Sequence, residues 1–152
     1  MKLWNITEAH GGALFISGKP KSTPAEKRTR DVKKLRDAGI SHIVSLIPVG
    51  SAWLADEGFT YHQYTVKDGT SEGGINPESA LEAANFVVGL LALDRRVLVH
   101  CHVGKNRSGV VATLVMVTIA GLQHSGALTY VRERRPGAVS NPRWERWLLE
   151  GT

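Results

Sequence analysis

Apolar residues along the chain fall into short continuous runs and helical stripes, and the two kinds alternate. Leu14-Phe15-Ile16-Ser17 is a short run ended by Gly18 and predicts a strand. Pro24-Ala25-Glu26 opens a helix, with Thr23 as its N-cap and Pro24 at the first helical position. Val32, Leu35 and Ala38 line one face of that helix, and Gly39 closes it. Residues 40–47 are rich in β-branched side chains and predict a buried strand stopped by Pro48. A further strand over 59–66 carries Phe59, Tyr61 and Tyr64, and a glycine-marked loop follows to Ile75. Asn76-Pro77-Glu78 starts a helix running to about Leu93. Arg96-Val97-Leu98-Val99-His100 is a continuous apolar strand, 101–106 a loop, and Arg107 onward a buried helix through Met116. An amphipathic helix over 123–135 stops at Pro136-Gly137, and Asn141-Pro142 starts a last short helix through Trp144, Trp147 and Leu148.

Strands alternate with helices, and the strands lack a clean two-residue period. That predicts an α/β fold with a central, mostly parallel sheet flanked by helices. No repeat, low-complexity tract or long linker divides the 152 residues, so a single domain over 1–152 is expected. Apolar residues at 42% and charged residues at 22% suit a soluble globular chain. The longest apolar run, 109–122, is interrupted by Thr113 and Thr118 and reads as a buried helix, so no membrane partner is expected. No apolar leader with a small-residue cleavage site opens the chain, and a cytoplasmic location is the default expectation. The net charge of +5 suits an anionic partner. The basic run 19–34 reads mainly as the solvated face of the first helix, and Arg132, Arg134, Arg135, Arg143 and Arg146 form a second group. Trp4, Trp53, Trp144 and Trp147 suit either a core or a contact surface, so the pattern fixes no oligomeric state.

Cys101 is the only cysteine, which excludes an internal disulfide and a multi-cysteine metal site. A lone cysteine is ordinarily a small buried apolar residue. The neighbours change that reading. A strand runs into Cys101-His102-Val103-Gly104-Lys105-Asn106-Arg107-Ser108, and a helix follows. A loop beyond the carboxyl end of such a strand, leading into a helix N-terminus, aims backbone N–H groups at one point and makes an anion site. Gly104 lets it curl tightly. That setting favours the thiolate, the nucleophilic form, so Cys101 is placed to attack phosphorus. Arg107 has the planar fork that grips two phosphoryl oxygens, Ser108 is placed to help the sulfur leave, and His100 orders the loop. No metal or other cofactor is called for: His100 and His102 flank Cys101, and a metal there would block the nucleophile.

His-Cys-x-x-Gly-x-x-Arg-Ser, with its strand before and helix after, resembles the active-site loop of the cysteine-based protein tyrosine phosphatases, in their dual-specificity branch. The likeness covers roughly 10–150. It implies phosphomonoester hydrolysis through a phosphocysteine intermediate on a phosphorylated substrate, most simply a phosphoprotein. It also implies an aspartate on a separate loop as general acid. Asp56, Asp68 and Glu72 lie upstream; Asp68 fits best, following a strand roughly thirty residues before the cysteine, and Glu72 is the fallback. Asn141 matches an asparagine that supports the phosphate loop. No segment resembles the phosphotyrosine-recognition loop of the larger enzymes. Asn106 before Arg107 is seen in RNA-triphosphatase relatives, and Lys105 resembles the phosphoinositide branch, which has a second lysine where this chain has His102. The same chemistry on RNA 5′ ends or a phosphoinositide therefore stays open, although no RNA-binding motif supports a nucleic-acid partner. A non-catalytic phosphate-binding module is a further alternative. A rhodanese-type sulfur transferase is disfavoured by the five residues between Cys101 and Arg107.

Overall fold

A computed structural model describes residues 1–9, 11–69 and 74–150. The strands are β1 (Trp4–Ala9), β2 (Gly12–Ser17), β3 (His42–Ser45), β4 (Thr60–Gln63) and β5 (Arg96–His100). The helices are α1 (Ala25–Asp37), α2 (Pro77–Ala92), α3 (Arg107–Ala120), α4 (His124–Arg134) and α5 (Pro142–Glu150), with a 3-10 helix over Ala52–Glu57. The strands form one five-stranded sheet in the order β1-β2-β5-β3-β4. All pairings are parallel except β1 with β2.

The central strands β2, β5 and β3 are buried on both faces, which is why they read as continuous apolar runs. Alternate residues serve opposite cores. Leu14, Ile16, Val44, Val97 and Val99 pack against α2–α5, while Ala13, Phe15, Ile43 and Leu98 pack with Val32 and Leu35 of α1 and Leu54 of the 3-10 helix. α3 lies innermost, and Ser108 to Met116 are all buried on it.

Several expectations need correction. β1 was not predicted: its only fully buried side chain is Ile6, so no apolar run marks it. The strands expected over 40–47 and 59–66 are shorter, because their ends leave the sheet for loops. Thr23 does not cap α1: Pro24 is the extended residue at its start, and the helix begins at Ala25. At the other end Ala38 is the cap, and Gly39, at φ +73°, takes the left-handed conformation that ends the helix. The 3-10 helix was also missed, having one buried apolar residue, Leu54, to signal it.

Candidate active site

The carboxyl ends of β2, β5 and β3 stand side by side, and the register aligns Ser17, His100 and Ser45 there. Three polar side chains, each fully buried, thus close the sheet where its apolar core ends. Beyond His100 the chain turns sharply through the loop 101–106 into α3. Gly104 makes that turn at φ +74°, and a Cβ there would sit 2.4 Å from the carbonyl carbon of Ser17. Only glycine meets both demands.

The turn curls the loop around the sulfur. The Gly104 N–H donates to Cys101 Sγ at 3.3 Å, and Ser108 Oγ lies 3.3 Å from the same atom. Cys101 itself is 3% exposed, at the base of a pocket of about 400 Å³. His102, Val103, Lys105, Asn106 and Arg107 line that pocket, as does Asp68 from the loop after β4. Asp68 Oδ1 is 3.9 Å from Arg107 Nε. Arg107 Nη1 donates to the Val66 carbonyl at 3.4 Å, while its buried Nε has no hydrogen-bond partner among the described residues. Asp56 stands exposed on the 3-10 helix and does not line the pocket. Glu72, the fallback acid, lies outside the described residues.

His100 is fully buried, with Nδ1 3.2 Å from the Cys101 carbonyl and Nε2 2.7 Å from Ser51 Oγ. A carbonyl accepts only, so Nδ1 carries the hydrogen and Nε2 accepts from the Ser51 hydroxyl. Burial lowers the imidazole pKa to about 4, against the opposing pull of the Cys101 carbonyl, so the ring is neutral near pH 7. Its two nitrogens link the Cys101 carbonyl to the Ser51 hydroxyl.

The loop also makes hydrogen bonds to the segment around Asn141. Asn106 Oδ1 accepts from the Ser140 N–H, the Ser140 hydroxyl and the Asn141 N–H, at 2.7, 3.0 and 2.9 Å. Asn141 Nδ2 donates at 2.7 Å to the backbone carbonyl of Asp68, so this one residue ties the loop bearing Asp68 to the loop bearing Cys101. Trp144 Nε1 donates to the neighbouring Lys67 carbonyl at 3.1 Å, and Arg135 Nε to the Gly104 carbonyl at 2.8 Å. Ser51, Trp144 and Arg135 were not singled out as site residues. Each acts through a main-chain or imidazole partner 31 to 77 positions away, and no local pattern marks such a contact.

Fold and loop together define an α/β domain built around a cysteine-centred oxyanion cradle. The family model of the dual specificity phosphatase catalytic domain matches residues 25–152. Human dual specificity protein phosphatase 15 is 31% identical over 121 residues, 80% of this chain and 40% of that protein. The protein-tyrosine-phosphatase IBR5 of Arabidopsis thaliana is 28% identical over 119 residues, 76% of this chain and 42% of its own. The chain thus spans less than half the length of these relatives. Among solved structures, DUSP15 superposes with a TM-score of 0.73 at 26% identity, covering 95% of this chain and 85% of that one. Kinase associated phosphatase shares the fold with a TM-score of 0.78 at 18% identity, covering 99% and 93%. The chain belongs to the dual specificity phosphatase catalytic domain family.

Proposed function

We propose that this domain hydrolyses phosphomonoesters on phosphoproteins through a phosphocysteine intermediate. The observation that carries the reading is the setting of Cys101 Sγ. A backbone N–H and a serine hydroxyl are aimed at it, at the floor of a pocket that also holds Arg107 and Asp68. Donors that stabilise negative charge on sulfur favour the nucleophilic form.

In the first step Sγ attacks phosphorus, the S–P bond forms, and the P–O bond to the leaving group breaks. The Asp68 carboxyl gives its proton to the departing oxygen. Arg107 grips the equatorial oxygens, and its buried Nε, without a hydrogen-bond partner among the described residues, supplies a donor for them. In the second step water attacks the same phosphorus and gives its proton to the Asp68 carboxylate. The S–P bond breaks, inorganic phosphate leaves, and the Ser108 hydroxyl donates to the departing thiolate.

Turnover of p-nitrophenyl phosphate tests this. Cys101→Ser should abolish it, and Asp68→Ala should remove the basic limb of the pH–rate profile. Hydrolysis surviving Cys101→Ser would overturn the reading. An unchanged profile in Asp68→Ala would move the acid to another carboxylate.

A further inference from the structure

The pocket over Cys101 does not end at its rim. Asn106 and Ser140 also line a neighbouring pocket of about 590 Å³, which extends past Gly69 and Asn141 to Arg143 and Arg146. Arg143 and Arg146 in turn line a third pocket, of about 440 Å³, together with Gly74, Ile75, Trp147 and Glu150. The three pockets thus form a row that follows α5. Arg143, Arg146, Trp147 and Glu150 recur at spacings of three and four, which puts them on one face of that helix. From Arg143 to Glu150 that face is about 10 Å long, at about 1.5 Å per residue.

The row changes character along its length. Its Cys101 end is lined mainly by polar and charged side chains. At the far end Ile75 and Trp147 are half-buried, each packed against the core while also lining the pocket. The Trp147 ring meets Trp144 edge-on, with centroids 5.7 Å apart at 85°. A ring already fixed in this way loses little freedom when a ligand covers it.

The apolar end is also joined to the loop bearing Asp68. A Cβ on Gly69 would lie 2.6 Å from Ile75 Cγ2, so the Ile75 side chain rests on the residue that follows Asp68. The indole of Trp144, against which Trp147 packs, donates to the Lys67 carbonyl of the same loop. An apolar hollow continuous with the reaction pocket, and built on the same supports, faces whatever extends from the phosphate.

We propose that the far pocket docks a large apolar side chain of a phosphopeptide substrate, about three to five residues from the phosphorylated one. The inference rests on the phosphatase reading above and adds its substrate class. An extended peptide advances about 3.3–3.6 Å per residue, so the α5 face spans about three residues, and the crossing at Asn106 and Ser140 adds about one or two. The Glu150 carboxylate opposes an anionic group at that end, and the Trp147 ring and Ile75 suit a leucine or an aromatic side chain.

The test uses phosphotyrosine peptides of alanine and serine carrying a single leucine, placed in turn at each position on either side. In the wild type, leucine three to five residues away on one side should lower KM about tenfold relative to alanine, the scale of partly burying such a side chain. Trp147→Ala and the milder Ile75→Thr should both lose that gain. The leucine-to-alanine ratio within each variant is independent of any change in basal rate, which p-nitrophenyl phosphate records. Fluorescence anisotropy of the same peptides on Cys101→Ser reads the docking site without turnover, so its failure is distinguished from failure of the phosphatase reading. The proposal is overturned if no position of leucine changes the affinity, or if the gain survives both variants. A Trp147-dependent affinity for a 5′-triphosphorylated RNA, with no preference among the peptides, overturns it as well.

Discussion

Ser51 Oγ lies 2.7 Å from His100 Nε2, and both side chains are fully buried. The serine precedes the 3-10 helix and the histidine ends β5, so the bond fastens the β3 exit loop to the strand that delivers Cys101. A buried acceptor left unpaired costs about 1–3 kcal/mol. Ser51→Ala should therefore lower the free energy of unfolding by that amount, read as a lower urea midpoint at unchanged m. KM should hardly move, because Ser51 does not line the pocket over Cys101. An unchanged midpoint would mean that the bond contributes nothing.

The same histidine makes stability depend on pH. In the unfolded chain its pKa returns to the ordinary 6.5, while in the fold it is about 4. Between those values the unfolded state binds more protons, so acid favours unfolding. The contribution is complete above pH 6.5 and disappears as pH falls through about 4; it amounts to about 3 kcal/mol. Denaturant midpoints measured from pH 7 to pH 4 should fall more steeply for the wild type than for His100→Gln. Parallel curves would show that the imidazole titrates as it does in water.

Two glycines should respond to alanine in opposite directions. Gly104 is at φ +74° with the Ser17 carbonyl carbon 2.4 Å from a notional Cβ, so Gly104→Ala forces the Cys101 loop off β2. Its turnover of p-nitrophenyl phosphate should drop by about a hundredfold or more, the scale expected when a reacting group moves by an ångström. Gly89 is exposed within α2, and nothing lies within 4 Å of its notional Cβ. Gly89→Ala should raise stability by about 0.5–1 kcal/mol with activity unchanged. Thermal melts and initial rates on the two variants check both.

How much of this was legible follows the range over which each signal acts. The strand Arg96–His100, the turn at Gly104 and the helix from Arg107 are contiguous, so the cradle could be read off one stretch of chain. Asp68 needed the family resemblance as well, because a turn aspartate before glycine is common on its own. The structure places it in the pocket with Cys101. β1 was hidden because an edge strand with one fully buried side chain has no apolar pattern to show. Asn106 could be seen as a residue of the phosphate-binding loop, of the kind found before the arginine in RNA-triphosphatase relatives, but not as a hydrogen-bond hub. Its function as an acceptor for Ser140 and Asn141 arises where the loop before α5 folds back onto it.

That acceptor sits beside the proposed phosphate site, which separates shape from charge. Asn106→Asp keeps an oxygen for the three donors, whereas Asn106→Ala removes it. The alanine variant should lose about 1–3 kcal/mol of stability. The aspartate variant should stay near wild-type stability and raise KM for a phosphomonoester, since its charge opposes the substrate's. Denaturation curves and steady-state kinetics on the pair distinguish the effects. A raised KM in the alanine variant alone would assign the residue to loop shape.

The loop bearing Asp68 is held at two adjacent carbonyls: that of Asp68 by Asn141 Nδ2 at 2.7 Å, and that of Lys67 by Trp144 Nε1 at 3.1 Å. Trp144 is fully buried, and Trp144→Phe keeps an aromatic ring there while deleting the N–H. The Lys67 carbonyl then loses its indole donor, and the loop gains freedom to carry Asp68 away from the leaving oxygen. Proton donation matters most when the leaving group is a strong base. Turnover of phenyl phosphate should therefore fall about tenfold in the variant, a fraction of the roughly 10²–10⁴-fold a well-placed general acid contributes, while p-nitrophenyl phosphate, whose leaving group needs little protonation, changes much less. A merely structural loss would lower both rates together. The ratio of the two rates therefore reports whether Trp144 acts through the position of the acid, and equal losses on both substrates would assign it to the core alone.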